Sequence, residues 1–176
     1  FLISFGGTDP NDFTRKFLKI IAPICKINNI SISLVTGPGY LKIKQLQKDI
    51  KKLKANSISI EYIHHAGKMS TIMKKSQLAI TSNGRTTYEL AHMNLQSIII
   101  SHHKREDTHT FTKKNEGFIH LGCYEKRKTE KKITKSINCL IIDKDRRKKA
   151  FNALKKIKFE SNRQRVIYKI EKLINK

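Results

Sequence analysis

Short runs of apolar and β-branched residues alternate along this chain with longer stretches whose apolar positions recur at helical spacing. Phe1 to Phe5 reads as a short buried strand, and Gly6-Gly7-Thr8-Asp9-Pro10 as the turn that ends it. Phe13, Phe17, Leu18, Ile21 and Ile24 then fall near helical spacing. Asn11 or Asp12 is placed to cap that helix, with Pro10 just before it. Ile30–Val35 predicts a second strand, ended by the breaker group Thr36-Gly37-Pro38-Gly39. Leu41, Leu46, Ile50 and Leu53 share one face of the next helix, and Ile58–Ile63 alternates as a third strand. A short helix over Lys68–Lys75 turns Met69, Ile72 and Met73 inward. Leu78–Thr81 is the fourth strand and Ser82-Asn83-Gly84 its turn. A helix over Thr86–Met93, a strand over Ser97–Ser101, a helix over Glu106–Asn115 and a strand over Phe118–Leu121 follow. From Glu130 the pattern is helical to the end, with breaks near Asp143 and Ser161.

Strands alternating with helices in this way predict repeated βαβ units and an α/β fold. The expected architecture is a Rossmann-like open parallel sheet of about six strands flanked by helices, with no internal boundary across residues 1–176. In such sheets ligands sit outside the carboxyl ends of the strands. Three predicted strand ends carry glycine turns, at Gly6-Gly7, Gly37-Pro38-Gly39 and Ser82-Asn83-Gly84, so one face of the sheet is the place to look.

Composition narrows the class. A chain of 176 residues suffices for one domain with a real core. No apolar run approaches the ~18 residues of a membrane span, and there is no signal-peptide pattern. Cys25, Cys123 and Cys139 are odd in number and lack CxxC spacing, which argues against a disulfide framework or a zinc site and for idle thiols in a reducing compartment. There is no initiator Met, and the first residues already read as a strand, so the chain is expected to begin inside a longer protein.

The formal charge of +23 invites the alternative of a basic nucleic-acid-binding module. Its lysines are spread along the whole chain, and Ile, Lys and Asn are abundant together, so most of the charge reads as compositional bias. The run Arg146-Arg147-Lys148-Lys149 has no interleaved aromatic platform and reads as a solvated face. No specific nucleic-acid partner is expected. A basic surface would still draw anionic substrates or an acidic membrane surface.

The turns carry the candidate chemistry. Gly6-Gly7-Thr8-Asp9 joins a strand to a helix, where glycines let a ligand approach the backbone and a helix start favours phosphate. It is neither GxGxxG nor GxxxxGK[ST], so it supports neither a dinucleotide fingerprint nor a Walker loop, and a plain tight turn would look the same. In Ser82-Asn83-Gly84-Arg85-Thr86-Thr87-Tyr88-Glu89, Gly84 opens a helix among the hydroxyls of Ser82, Thr86 and Thr87, a setting that suits a diphosphate. Glu89, about one turn on, is placed to accept hydrogen bonds from a ribose diol. The competing reading is a capped helix with Glu89 near its positive end.

Taken in order, Gly6-Gly7-Thr8-Asp9-Pro10-Asn11, Gly37-Pro38-Gly39-Tyr40 and Ser82-Asn83-Gly84-Arg85-Thr86-Thr87-Tyr88-Glu89-Leu90-Ala91 resemble the C-terminal domain of GT-B-fold nucleotide-sugar enzymes, of the glycosyltransferase family 28 C-terminal type. The resemblance extends over about residues 1–125, and Met69 falls where that family begins the helix before its fourth strand. It is nearest to flagellin-sugar hydrolases that release UDP from a diacetamido-trideoxy-altrose and to related spore-coat polysaccharide proteins. It implies that Gly84, Ser82, Thr86 and Thr87 receive the diphosphate and that Glu89 takes the ribose. Gly6, Gly7 and Asp9 would face the cleft between two domains, and the turn at Gly37 would help wall the nucleoside.

The resemblance also implies that an absent N-terminal half supplies the catalytic groups, so none is assigned here. The substrate would be a UDP-sugar or similar nucleotide sugar, with no cofactor. The setting would be cytoplasmic surface-polysaccharide or flagellin-sugar biosynthesis, at the inner membrane face if the acceptor is lipid-linked. One stretch departs from the pattern. Where relatives carry an Asn-Gln pair that touches the sugar, this chain has His102-His103-Lys104-Arg105-Glu106-Asp107-Thr108-His109, leaving Glu106, Asp107 and His109 as the expected sugar-facing residues. Adjacent histidines on a strand point to opposite faces, so no metal site is expected at His102-His103 or at His64-His65.

Overall fold

The computed structural model describes residues 1–157, 159 and 161–174. Six strands form one sheet: β1 (Leu2–Ser4), β2 (Ile32–Thr36), β3 (Ile60–His64), β4 (Ala79–Thr81), β5 (Ser97–Ser101) and β6 (Phe118–Cys123). Their order is β3-β2-β1-β4-β5-β6, and every pairing is parallel. Leu2 lies opposite Ser33 on one side and Ala79 on the other, so the earliest strand sits at the centre of the sheet. The connections run outward in two directions from β1 and β4, which leaves a crevice at the carboxyl ends of that pair.

The helices are α1 (Phe13–Ile27), α2 (Ile43–Ala55), α3 (Met69–Lys74), α4 (Thr86–His92), α5 (Lys104–Asp107), α6 (Lys128–Ile142), α7 (Lys144–Lys155) and α8 (Asn162–Ile174). They cover both faces, and the pleat divides the core between them. Ile3, Leu34, Ile80, Ile98 and Ile100 pack with Phe13, Phe17 and Ile21 of α1 and Ile133 and Ile137 of α6. Leu2, Val35, Ala79 and Ile99 face the other way, against Met73 of α3, Leu90 of α4 and Leu154 of α7. Burial on both faces is why the strands read as continuous apolar runs.

The expected order of elements through α4 and β5 is found, and α3 begins at Met69. The helix expected over Glu106–Asn115 is not. Only Lys104–Asp107 is helical, followed by turns to Gly117. The cause is non-local: the side-chain amide of Asn83 takes the carbonyls of Glu106 (3.0 Å) and His109 (3.1 Å), two acceptors a continuing helix would need. The C-terminal breaks fall where expected, at Asp143, whose side chain caps α7 through the Arg146 amide (2.8 Å), and at Ser161 before α8. The expected continuation through Asn175 and Lys176 lies outside the described residues.

Part of the basic run on α7 has an internal task. Arg147 donates to the carbonyls of Leu140 and Ile141 at the end of α6, and Arg146 reaches the Cys139 sulfur. All three cysteines are free thiols, and burial pushes the Cys25 thiol up to about 11. No helix among the described residues is long and apolar enough to cross a membrane.

Candidate nucleotide site

The loop after β1 is held in shape by two acids with different tasks. Gly6 has φ +79, the left-handed region that glycine enters without strain. Asp9 is buried and accepts from the Phe13 amide (2.9 Å) and the Thr14 amide (2.7 Å), so it caps α1. The expected caps do not act as such. Asp12 sits at φ 53 with no capping bond, and its carboxylate instead meets Arg15 (3.0 Å) and the Tyr40 hydroxyl (2.6 Å). Asn11 donates to the His102 carbonyl (2.9 Å), which ties this loop to the one after β5.

The loop after β2 is packed directly on the first. A Cβ at Gly37 would lie 2.4 Å from the Gly7 Cα, 2.6 Å from the Gly7 oxygen and 2.7 Å from the Gly6 oxygen. The Gly39 amide donates to the Gly7 carbonyl at 3.0 Å. Gly37 is therefore needed for backbone-to-backbone approach. Gly7 has open space where its own Cβ would be.

The loop after β4 stands beside these two. Ser82, Asn83 and Thr87 are buried, Gly84 and Thr86 half-buried, and Glu89 exposed. The Thr87 hydroxyl donates to the Gly84 carbonyl (2.7 Å), closing the turn from inside. A Cβ at Gly84 would lie 3.7 Å from both the Ser82 Oγ and the Glu106 Oε1, so these three residues meet at one spot. Tyr88 stacks on Phe111 at 4.4 Å between ring centroids.

The loop after β5 is anchored by a chain of polar side chains. Asn83 holds it through the two carbonyls given above, and accepts from the Thr112 hydroxyl (2.8 Å) on its Oδ1. His109 Nδ1 lies 2.9 Å from the Asn83 carbonyl. Thr112 also meets His120 Nδ1 (2.9 Å), and His120 Nε2 meets Asp107 Oδ1 (2.8 Å). Asp107 further accepts from Ser101 (2.9 Å) and Lys113 (2.9 Å). Partial burial acts to raise the Asp107 pKa, but the hydrogen bonds from Lys113, His120 and Ser101 outweigh it and bring it down to about 2. Glu106 accepts from the His102 amide and the His103 side chain accepts from the Glu106 amide, closing the short α5 turn. The His102 ring stacks on Phe13 (4.5 Å, 8°), with Nε2 at 3.9 Å from Asp9 Oδ1, and burial lowers its pKa.

The sequence matches the glycosyltransferase family 28 C-terminal domain over residues 1–166. The chain belongs to that family. It is 29% identical over 99 residues to an uncharacterized protein of Methanocaldococcus jannaschii, MJ1062, a match covering 56% of this chain and 20% of the relative. Its fold is similar to that of a UDP-GlcNAc 2-epimerase of Methanocaldococcus jannaschii solved with UDP-GlcNAc and UDP. That match has TM-score 0.58 and 18% identity, covering 81% of this chain and 38% of the other. It is also similar to TarM, with TM-score 0.61 and 12% identity, covering 95% and 34%. The chain thus spans about a fifth of its curated relative and under two fifths of these structures.

In this family 28 domain, the expected residues separate into two groups. Gly6, Gly7, Ser82, Gly84, Thr86 and Glu89 lie on the loops and helix start around the carboxyl ends of β1 and β4, and Glu106 joins them through Gly84. Asp9, Gly37 and Thr87 lie on the same loops but hold them together. Asp107 and His109 are bonded into the anchoring chain. Asn83 and His120 went unmarked in the sequence. A polar residue between a buried strand and a helix-opening glycine was the available signal for Asn83, and nothing local pointed to His120. Among the described residues no group of three or more His, Cys, Asp or Glu is gathered to hold a metal. A cavity of about 570 Å³ opens at the other end of the sheet, by Phe1, Leu78 and Gln96. It is lined by none of the glycine turns.

Proposed function

We propose that this domain binds the nucleoside diphosphate of a nucleotide sugar, a UDP-sugar, in the crevice between the loops after β1 and β4. The observation that carries the reading is the presence of glycine turns at the carboxyl ends of β1 and β4, where strand order reverses, with Gly84, Ser82 and Glu106 meeting at one spot. There the amides opening α4 receive the diphosphate, helped by Ser82 and Thr86. Glu89, exposed on the first turn of α4, accepts from the ribose hydroxyls. The UDP-bound epimerase of similar fold supports the choice of UDP.

A partner domain of the same polypeptide, facing the carboxyl ends of β1 and β4, would supply the catalytic groups; the structures of similar fold are more than twice the length that this chain covers. The full protein would then hydrolyse the nucleotide sugar or transfer its glycosyl group in surface-polysaccharide or flagellin-sugar biosynthesis. Calorimetry with UDP tests the binding role. Glu89 is exposed, so Glu89→Ala leaves the fold intact while removing a charged hydrogen-bond acceptor, an expected loss of about tenfold to a hundredfold in affinity. Equal affinity in both proteins would remove the ribose role of Glu89. The chain alone is expected to show no turnover of UDP-sugars.

A further inference from the structure

The hydrogens around His120 can be assigned from one end of its network to the other. Two carbonyls, of Glu106 (3.0 Å) and His109 (3.1 Å), face one terminal atom of the Asn83 side chain, which must be the amide nitrogen. Its other terminal atom is therefore an acceptor, and Thr112 Oγ1 at 2.8 Å must donate to it. A hydroxyl has one hydrogen. The 2.9 Å contact between Thr112 Oγ1 and His120 Nδ1 is then filled from the ring, as Nδ1–H. On the far side, Nε2 lies 2.8 Å from Asp107 Oδ1. Asp107 already accepts from Ser101 and Lys113, and these bonds hold it ionised. Facing a carboxylate, Nε2 must carry a hydrogen as well. A neutral imidazole has one N–H, and these contacts require two.

We propose that His120 is a positioning residue that acts as an imidazolium, its two N–H groups clamping Thr112 and Asp107 so that the Lys104–Thr112 loop is held against the Gly84 turn. Its bearing on nucleotide affinity rests on the nucleotide-site reading; its protonation does not. The neutral Nε2–H form would need the Thr112 hydroxyl to turn to the ring. That turn leaves the Asn83 oxygen without a donor at a place where Asn83 and Thr112 are both 1% exposed. The titratable groups around the clamp are few. Asp107 on α5 contacts the ring, Lys113 holds the other Asp107 oxygen, and His109 sits across Asn83. Lys104 and Glu106 on α5 and Cys123 on β6 share the same electrostatic neighbourhood. Raising the pH until one ring hydrogen is lost leaves either Thr112 or Asp107 unclamped, and the loop loosens.

Long-range proton–nitrogen correlation spectra of the nitrogen-15-labelled protein, with His120→Gln to assign the signals, read the ring directly. Two protonated nitrogens on His120 at neutral pH are expected, and a neutral tautomer there overturns the proposal. The amides of Glu106–Thr112 should exchange faster with solvent as the ring loses its proton, beyond the general rise of exchange with pH, and His120→Gln should lack that step. UDP affinity should fall about tenfold across the same step in the wild type, the worth of one hydrogen bond, and show no such step in the variant. The titration of UDP itself is common to both proteins, so a pH profile shared by wild type and variant also overturns the positioning role. Absence of UDP binding at every pH would refute the nucleotide reading alone, and the ring spectra and amide exchange would still decide the clamp.

Discussion

Replacing Gly37 with alanine tests whether the first two glycine loops are one unit. The new methyl would lie 2.4 Å from the Gly7 Cα, with the Gly7 and Gly6 carbonyl oxygens at 2.6 and 2.7 Å. All three obstacles are backbone, so no side-chain rotation relieves the overlap, and each must move by about 1 Å to reach ordinary van der Waals distance. The Gly39 amide bond to the Gly7 carbonyl (3.0 Å) lies in the same contact and must stretch with it. Overpacking of this kind costs about 1–3 kcal/mol, and the backbone overlap together with the strained hydrogen bond places Gly37→Ala near the middle of that range. For a protein of this size, ~2 kcal/mol lowers the thermal midpoint by roughly 4–8 °C. Gly7→Ala is the control, because its methyl meets nothing within 4 Å. The assay is thermal and urea unfolding of both variants, followed by UDP calorimetry. Gly37→Ala should lose stability. Gly7→Ala should keep its midpoint, since its methyl meets nothing, and lose affinity if the diphosphate approaches the Gly7 backbone as proposed. A Gly37→Ala protein that unfolds at the wild-type midpoint would refute the argument that the two loops are locked together.

Two further predictions concern the acids of these loops. Asp9→Ala removes both capping bonds of α1 and should cost about 2 kcal/mol, the upper end for an N-cap, measured as a lower urea midpoint. An unchanged midpoint with weakened UDP binding would return Asp9 to direct ligand contact. Asp107 has its folded pKa depressed from the ordinary 3.8 to about 2, so its contribution to stability is complete above about pH 4 and is lost as the pH falls towards 2. Urea midpoints measured from pH 6 down to 2 should show a fall in the wild type over the last two pH units that is smaller in Asp107→Asn. Parallel curves for the two proteins would mean that the carboxylate gains nothing from its partners.

The pattern made the sheet legible because its central strands are buried on both faces and read as apolar runs, while β3 at the edge alternates. Leu2 and Ile3 are neighbours that enter opposite halves of the core, as are Ile98 and Ile99, and such apolar runs are readable one residue at a time. The order of the glycine turns was legible for the same reason, since each follows a strand. Distant side chains governed the failures. The apparent helix over Glu106–Asn115 stops early because Asn83, 23 residues before Glu106, captures its carbonyls. Asp9 and Asp12 are equivalent as letters ahead of a helix, yet left-handed turns at both decide which carboxylate reaches the amides. Gly37 reads as part of a turn that ends a strand and helps wall a nucleoside, and the structure shows that it also lets two loops touch. The His120 clamp joins Asp107, Thr112 and His120 within one stretch, but its hydrogens are fixed by Asn83 on the loop after β4, which no short window includes.

The central position of β1 has a consequence for how the chain is made. Its first neighbour, β2, is synthesised soon after it, but Leu2 waits for Ala79 before its second edge is covered. From the completion of β3 until β4 is made, the growing chain carries a three-stranded half-sheet whose open edge is the apolar Leu2–Ser4 strand. Such an edge is a template for pairing with other nascent chains. Slower translation between β2 and β4 would lengthen the time that this edge stays open, and a chaperone that covers it would shorten its exposure.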